Sequence, residues 1–153
     1  MFTVRRATLN DVDALVQLRL KLFQETGELQ SDEPPPALLE ATQTYLRTHL
    51  LTERFLSWIA EADGEMIGIS GVVFLEKPPT QTHPSGREAY VMNMYTLPQW
   101  RGKGIATALL QEILRFVKTT NARRIWLRTT ADGKHMYEEN GFTPTKDEME
   151  LVW

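Results

Sequence analysis

Residues 95–107 read Tyr-Thr-Leu-Pro-Gln-Trp-Arg-Gly-Lys-Gly-Ile-Ala-Thr. Two glycines in three positions, Gly102 and Gly104, let the backbone turn sharply and come close to a ligand. From Gly104 onward Ile105, Leu109, Leu110, Ile113, Leu114 and Val117 recur with a helical period, so this loop opens a helix. A helix start leaves N–H groups unpaired and carries partial positive charge. Loop and helix start together make an anion site suited to a phosphate or pyrophosphate. Arg101 and Lys103 set full charges at its entrance. The loop is not a Walker A sequence, because Ile105 follows Gly104 where Lys and Ser or Thr are required. It also departs from the dinucleotide fingerprint: Ala106 and Thr107 occupy the region of the third glycine, and the loop comes late in the chain.

Other chemistries are excluded by what the chain lacks. It contains no cysteine, which removes disulfides, thiolate metal sites and a cysteinyl acyl-enzyme. His49, His83 and His135 have no metal-ligand spacing, so no metal is expected. Seventeen Lys and Arg against 20 Asp and Glu leave a net charge of −3, which argues against nucleic acid as a partner. Trp58, Trp100, Trp126 and Trp153 lack the interleaved basic residues of a base-stacking platform and are expected in the core or at its rim. The first residues become charged at once and no apolar run approaches the roughly 18 residues of a membrane span, so a cytoplasmic protein with no membrane partner is the expectation.

The elements that must hold the loop follow from periodicity. Phe2–Arg6 alternates as a first strand, and Thr8 or Asn10 caps a helix from about Asp11 that Gly27 ends. A second helix runs from about Pro36 to Leu51. Phe55–Ala62 and Met66–Leu75 are strands joined by the hairpin signal Asp63-Gly64, and Tyr90–Thr96 is a third. After the helix that Gly104 opens come a strand at Arg124–Arg128 and a short helix at Gly133–Glu139. Asn140-Gly141 stops that helix, and final strands are expected at Phe142 and Met149–Trp153. The order β-α-α-β-β-β-α-β-α-β-β predicts an α/β or α+β layered domain with a mixed sheet and helices on its faces. Two polar, proline-bearing breaks, Gln30–Pro36 and Lys77–Gly86, are too short for interdomain linkers, and 153 residues suit a single domain over 1–153.

Arg101-x-x-Gly104-x-Ala106, with Gly102 inside it, resembles the acyl-CoA pyrophosphate loop of the GNAT superfamily of N-acetyltransferases. Tyr95-Thr96-Leu97-Pro98 resembles that superfamily's fourth strand and its exit, and Met136-Tyr137-Glu138-Glu139-Asn140-Gly141-Phe142 its Tyr-Glu-x-x-Gly-Phe stretch. One helix and one strand separate the two signatures, and the element order agrees along essentially the whole chain. The resemblance implies a mixed, mostly antiparallel twisted sheet, with acetyl-CoA as co-substrate where strands four and five splay apart.

By the same resemblance, main-chain groups of Met94, Tyr95 and Thr96 hold the pantetheine arm, and a bulge near Asn93 or Met94 opens the sheet. Arg101, Gly102, Lys103, Gly104, Ile105, Ala106 and Thr107 cradle the pyrophosphate, chiefly through backbone N–H groups. A side chain at Gly102 or Gly104 is expected to clash or to strain the loop. Thr130 and Gly133 stand where such proteins have an Asn and a small residue against the cofactor, and Asp132 reads equally as a helix cap. Tyr137 is the catalytic acid: its phenol protonates the departing CoA thiolate. For the general base two candidates stand side by side, Glu88 acting directly and Asn93 orienting a water, with Glu25 and Glu28 also at the acceptor side.

The expected reaction is transfer of an acetyl group to a primary amine of a small molecule or peptide, by direct attack with both substrates bound. A non-catalytic acyl-CoA-binding or regulatory module on the same fold is the alternative, and a nucleotide-binding domain is a third reading. Glu25, Glu28, Asp32 and Glu33 favour a cationic acceptor. A homodimer through the C-terminal strand and Trp153 is possible on the same resemblance.

Overall fold

The computed structural model describes residues 1–146 and 148–153. One sheet holds β1 (Thr3–Arg6), β2 (Phe55–Ala62), β3 (Glu65–Glu76), β4 (Arg87–Thr96) and β5 (Arg124–Leu127), side by side in chain order. The first four pair antiparallel and β4 pairs with β5 in parallel. The helices are α1 (Val12–Thr26), α2 (Pro36–His49), α3 (Ile105–Val117) and α4 (Lys134–Glu139). Parallel neighbours need a crossover, and α3 supplies it between β4 and β5. This is the mixed, mostly antiparallel sheet expected.

Helices cover both faces, so the central strands are buried on both sides and lose simple alternation. On one face Ile105, Leu109, Leu110, Ile113 and Val117 of α3 pack on Leu56, Val72, Ala89 and Val91. On the other, Val12, Leu15 and Val16 of α1 and Leu46 of α2 pack on Phe55, Ile59, Ile69 and Tyr95. Each such side chain taken fully from water contributes about 1.5–3 kcal/mol before entropy is counted.

Two expectations are corrected. β4 starts at Arg87, not Tyr90, because Arg87 and Glu88 pair with Glu76 and Leu75 and extend the hairpin. The closing strands at Phe142 and Met149–Trp153 do not form. Phe142 instead packs edge-on against Tyr137, with ring centroids 5.7 Å apart. Among the described residues the tail meets β5 and the residue after it through side chains, Glu148 with Arg124 at 4.0 Å and Glu150 with Arg128 at 3.1 Å. Without a backbone ladder its apolar residues stay exposed, Met149 and Trp153 fully so.

The interruption that matters lies in β4. Met92 faces Gly71 and Tyr95 faces Ile69, so Asn93 and Met94 share one place opposite Ser70. Asn93 takes a left-handed conformation with φ 55°. Side-chain alternation is reset there: Met94 turns to the α3 face and Tyr95 to the α1 face, each where alternation from Val91 and Met92 would place the other.

Candidate active site

The pairing of β4 with β5 ends at Val91 opposite Leu127, while β4 continues to Thr96. Along Met92–Thr96 the edge of β4 that faced β5 has therefore lost its partner. Backbone N–H and C=O groups left without a ladder need partners, and an extended amide chain can supply them. The strands part on the very stretch, Met94, Tyr95 and Thr96, expected to hold a pantetheine arm.

The glycine loop closes one end of this opening. Gly102 and Gly104 have φ +73° and +79°, and nothing lies within 4 Å of a Cβ placed on either. A side chain there would strain the backbone and obstruct the approach of a ligand, but would clash with nothing in the protein. Ala108 N–H makes the first helical bond, to the Gly104 carbonyl at 3.0 Å. The N–H groups of Ile105, Ala106 and Thr107 thus have no helical partner. Open space, unpaired donors and the positive end of a 13-residue helix fit a pyrophosphate.

The two cations of the loop are engaged elsewhere. Arg101 donates to the Thr96 carbonyl at 3.0 Å and to Glu25 at 2.5 Å, and Lys103 Nζ lies 4.5 Å from the Trp100 ring centroid. Glu25 also accepts from the Tyr95 hydroxyl at 2.7 Å. Burial raises the carboxyl of Glu25, but the bonds from Tyr95 and Arg101 outweigh it and hold the group below its ordinary range. Burial and Glu25 together push the Tyr95 phenol up to about 12. Arg101 thus ties the loop to α1.

Tyr137 lies on α4, in the same apolar cluster that Met94 packs against. It is 8% exposed, on the α3 face of the sheet, and burial, with Tyr90 opposing ionisation, pushes its phenol up to about 12. The group is neutral at any physiological pH and has a proton to give. Gly133 precedes α4, and a Cβ there would lie 2.8 Å from Thr129 Oγ1 and 3.4 Å from the Tyr137 ring. Thr130 Oγ1 receives the Gly133 N–H at 3.4 Å, so Thr130 shapes this turn. Asp132 makes no capping bond to α4.

The structure does not bring Glu88 to the site. It lies five residues before the bulge, roughly 16 Å along the strand at about 3.3 Å per residue. Its carboxylate is paired with Lys77 at 2.9 Å and Arg124 at 3.5 Å. Burial raises it, but Lys77 and Arg124 more than offset this and keep it ionised. A base needs a free, reachable carboxylate, and Glu88 is neither. Asn93 is at the bulge, where its Oδ1 accepts a hydrogen bond from Arg19. The acidic group expected to draw a cation is dispersed: Glu25 is neutralised by Arg101, while Glu28, Asp32 and Glu33 are exposed.

Sequence reasoning passed over Arg19. Its signal was present, since position 19 lies on the apolar stripe of α1, three or four residues from Leu15, Val16, Leu22 and Phe23. A charge on a packed stripe must find a partner, and here it finds the bulge.

Comparisons with known proteins agree with this geometry. Residues 23–142 match the Acetyltransferase (GNAT) family. The chain is 30% identical over 146 residues to the uncharacterized N-acetyltransferase YjgM of Escherichia coli, covering 91% of this chain and 80% of that one. It is 26% identical to the uncharacterized N-acetyltransferase YhfO of Bacillus subtilis, over 91% and 88% of the two chains. A predicted acetyltransferase from Clostridium acetobutylicum, solved with acetyl-CoA, superposes with a TM-score of 0.89 at 32% identity, covering 99% of this chain and 96% of that one. The protein with the parted strands, the glycine loop and the buried phenol belongs to the GNAT family and is an acetyltransferase that uses acetyl-CoA.

Proposed function

We propose that the protein acetylates a primary amine of a small molecule or peptide by direct attack, with donor and acceptor bound together. The observation that carries this reading is the unpartnered edge of β4 at Met92–Thr96, which leads into the glycine loop. Acetyl-CoA, when bound, supplies the acetyl thioester. The main chain of Met94–Thr96 would align its arm, and the N–H groups at the start of α3 would bind its pyrophosphate. A β4 N–H beside the bulge would polarise the acetyl oxygen. The amine nitrogen bonds to the acetyl carbon as the carbon–sulfur bond breaks. Tyr137 gives its proton to the sulfur, the amine proton leaves to water, and the phenolate of Tyr137 takes a proton back from solvent. Absence of cysteine supports a direct route over a cysteinyl acyl-enzyme. Prepositioning both reactants removes much of the entropic barrier.

The test is an acceptor screen that follows release of free CoA thiol from acetyl-CoA. The reading expects at least one primary amine to be turned over and the matching tertiary amine to be inert. Tight acetyl-CoA binding with no thiol release from a broad amine panel would favour a binding module instead.

A further inference from the structure

Arg19 is a half-buried guanidinium on α1 whose position is set from three sides. It donates to Asn93 Oδ1 at the bulge, its Cζ lies 4.4 Å from the Phe23 ring centroid, and the charge interacts with Tyr45 across on α2. Among the described residues no carboxylate lies within ion-pair distance of it, and Glu28 acts on it only from further away. Burial accordingly works against the charge and lowers its pKa.

That arrangement leaves most of the guanidinium's donors without a partner in the protein. A planar guanidinium has five donors, and a neutral amide oxygen answers one of them. Stacking on Phe23 orients the remaining fork. The Tyr45 hydroxyl, close enough for its charge state to act on Arg19, has no hydrogen-bond partner among the described residues. Of the other cations near the opening, Arg101 is paired with Glu25, and Lys103 stands on the glycine loop over the Trp100 ring. One free guanidinium matches one singly charged, two-oxygen anion better than a phosphate dianion, which calls for more positive charge.

We infer that the amine acceptor carries a carboxylate, and that Arg19, fixed against Asn93 and Phe23, is the residue that reads it. This deepens the acetyl-transfer reading and rests on it. It replaces the cationic acceptor expected from the acidic residues, which the structure shows paired or dispersed.

The experiment compares matched acceptors with acetyl-CoA: α-, β- and γ-amino acids, each beside its carboxamide. The wild type should prefer at least one acid over its amide in kcat/KM by about 10- to 100-fold, the range for hydrogen bonds to a charged partner. Arg19→Gln should bring that ratio close to one, chiefly through KM, and Arg19→Lys should keep part of it. Arg115→Gln, an exposed change on α3, should keep all of it. If amides are used as well as acids and Arg19→Gln slows both alike, Arg19 only props the bulge, and the carboxylate inference falls while acetyl transfer stands. If no amine is turned over, thermal shifts of the CoA complex with N-acetyl amino acids and their amides decide the matter. A shift by the acids alone that Arg19→Gln abolishes upholds the site without the reaction, and no such shift overturns it.

Discussion

Tyr137 keeps its proton because burial makes the phenolate costly, and Tyr90 adds to that cost. The raised value keeps the proton on the phenol in the resting protein, and because a thiol is the stronger acid the transfer needs the phenol placed directly against the sulfur. Replacing Tyr137 by Phe should therefore lower kcat by about 10² or more, the usual range for a positioned acid, and leave acetyl-CoA affinity within about twofold. Equal loss of affinity and turnover would make the ring a packing element. The pH profile follows from the same group. The amine must be neutral to attack, so kcat/KM should rise about tenfold per pH unit below the amine's own pKa. Tyr137 stays protonated well beyond its ordinary range, so no falling limb should appear up to about pH 10. A limb centred near pH 8 that Tyr137→Phe removes would contradict this assignment. Tyr137 was legible in the sequence because a motif surrounds it. Glu88 was misleading because sequence places it near β4 but cannot show that Lys77 and Arg124 close over it. Arg19 was hidden for the opposite reason: its partner Asn93 lies 74 positions away.

Among the elements, those with strong periodicity were readable. The stripe of α3 and the Asp63-Gly64 hairpin fall where the pattern puts them, since their burial and turn geometry are local properties. The bulge was expected near Asn93, yet its consequence, the exchange of faces between Met94 and Tyr95, depends on register with β3. The closing strands failed because alternation at Met149–Trp153 states a preference that only a neighbouring strand can satisfy. The loops show the same division between local and tertiary constraint. Gly86 and Gly104 have similar φ, +65° and +79°, but a Cβ on Gly86 would lie 2.0 Å from the Lys77 carbonyl oxygen. Gly104→Ala should cost about 1 kcal/mol of strain, a Tm loss of roughly 2–4 °C. Gly86→Ala must also open the end of the β3–β4 hairpin, where Lys77 N–H bonds the Gly86 carbonyl at 2.8 Å, and should lower Tm at least twice as far. For acetyl-CoA affinity the order should reverse, since only Gly104 borders the proposed pyrophosphate. Calorimetry and a binding isotherm on the two variants measure both orders, and equal effects would refute the division.

Over the whole molecule, the sheet divides labour between a continuous antiparallel half and a half that opens. β1 to β4 form one ladder with helices packed on both faces, whereas β5 holds β4 through only four residue pairs, Glu88 to Val91 opposite Arg124 to Leu127. The opening thus sits where the sheet's own pairing runs out, and a ligand that bridges the parted edges adds contacts the free protein lacks. Binding to the native state alone stabilises it by mass action, about 2.7 kcal/mol when the ligand is at one hundred times its Kd. For a chain of this length that is a rise in Tm of roughly 5–10 °C. Acetyl-CoA should give such a rise and CoA a similar one, because loop and strand edge meet the shared part of both. ATP and NAD should give little, since neither carries an amide chain for the edge of β4. Gly104→Ala should reduce the shift and Tyr137→Phe should preserve it, separating the part of the cleft that binds from the part that reacts. A shift by ATP equal to that by acetyl-CoA would mean that the glycine loop binds alone and that the parted strands contribute nothing.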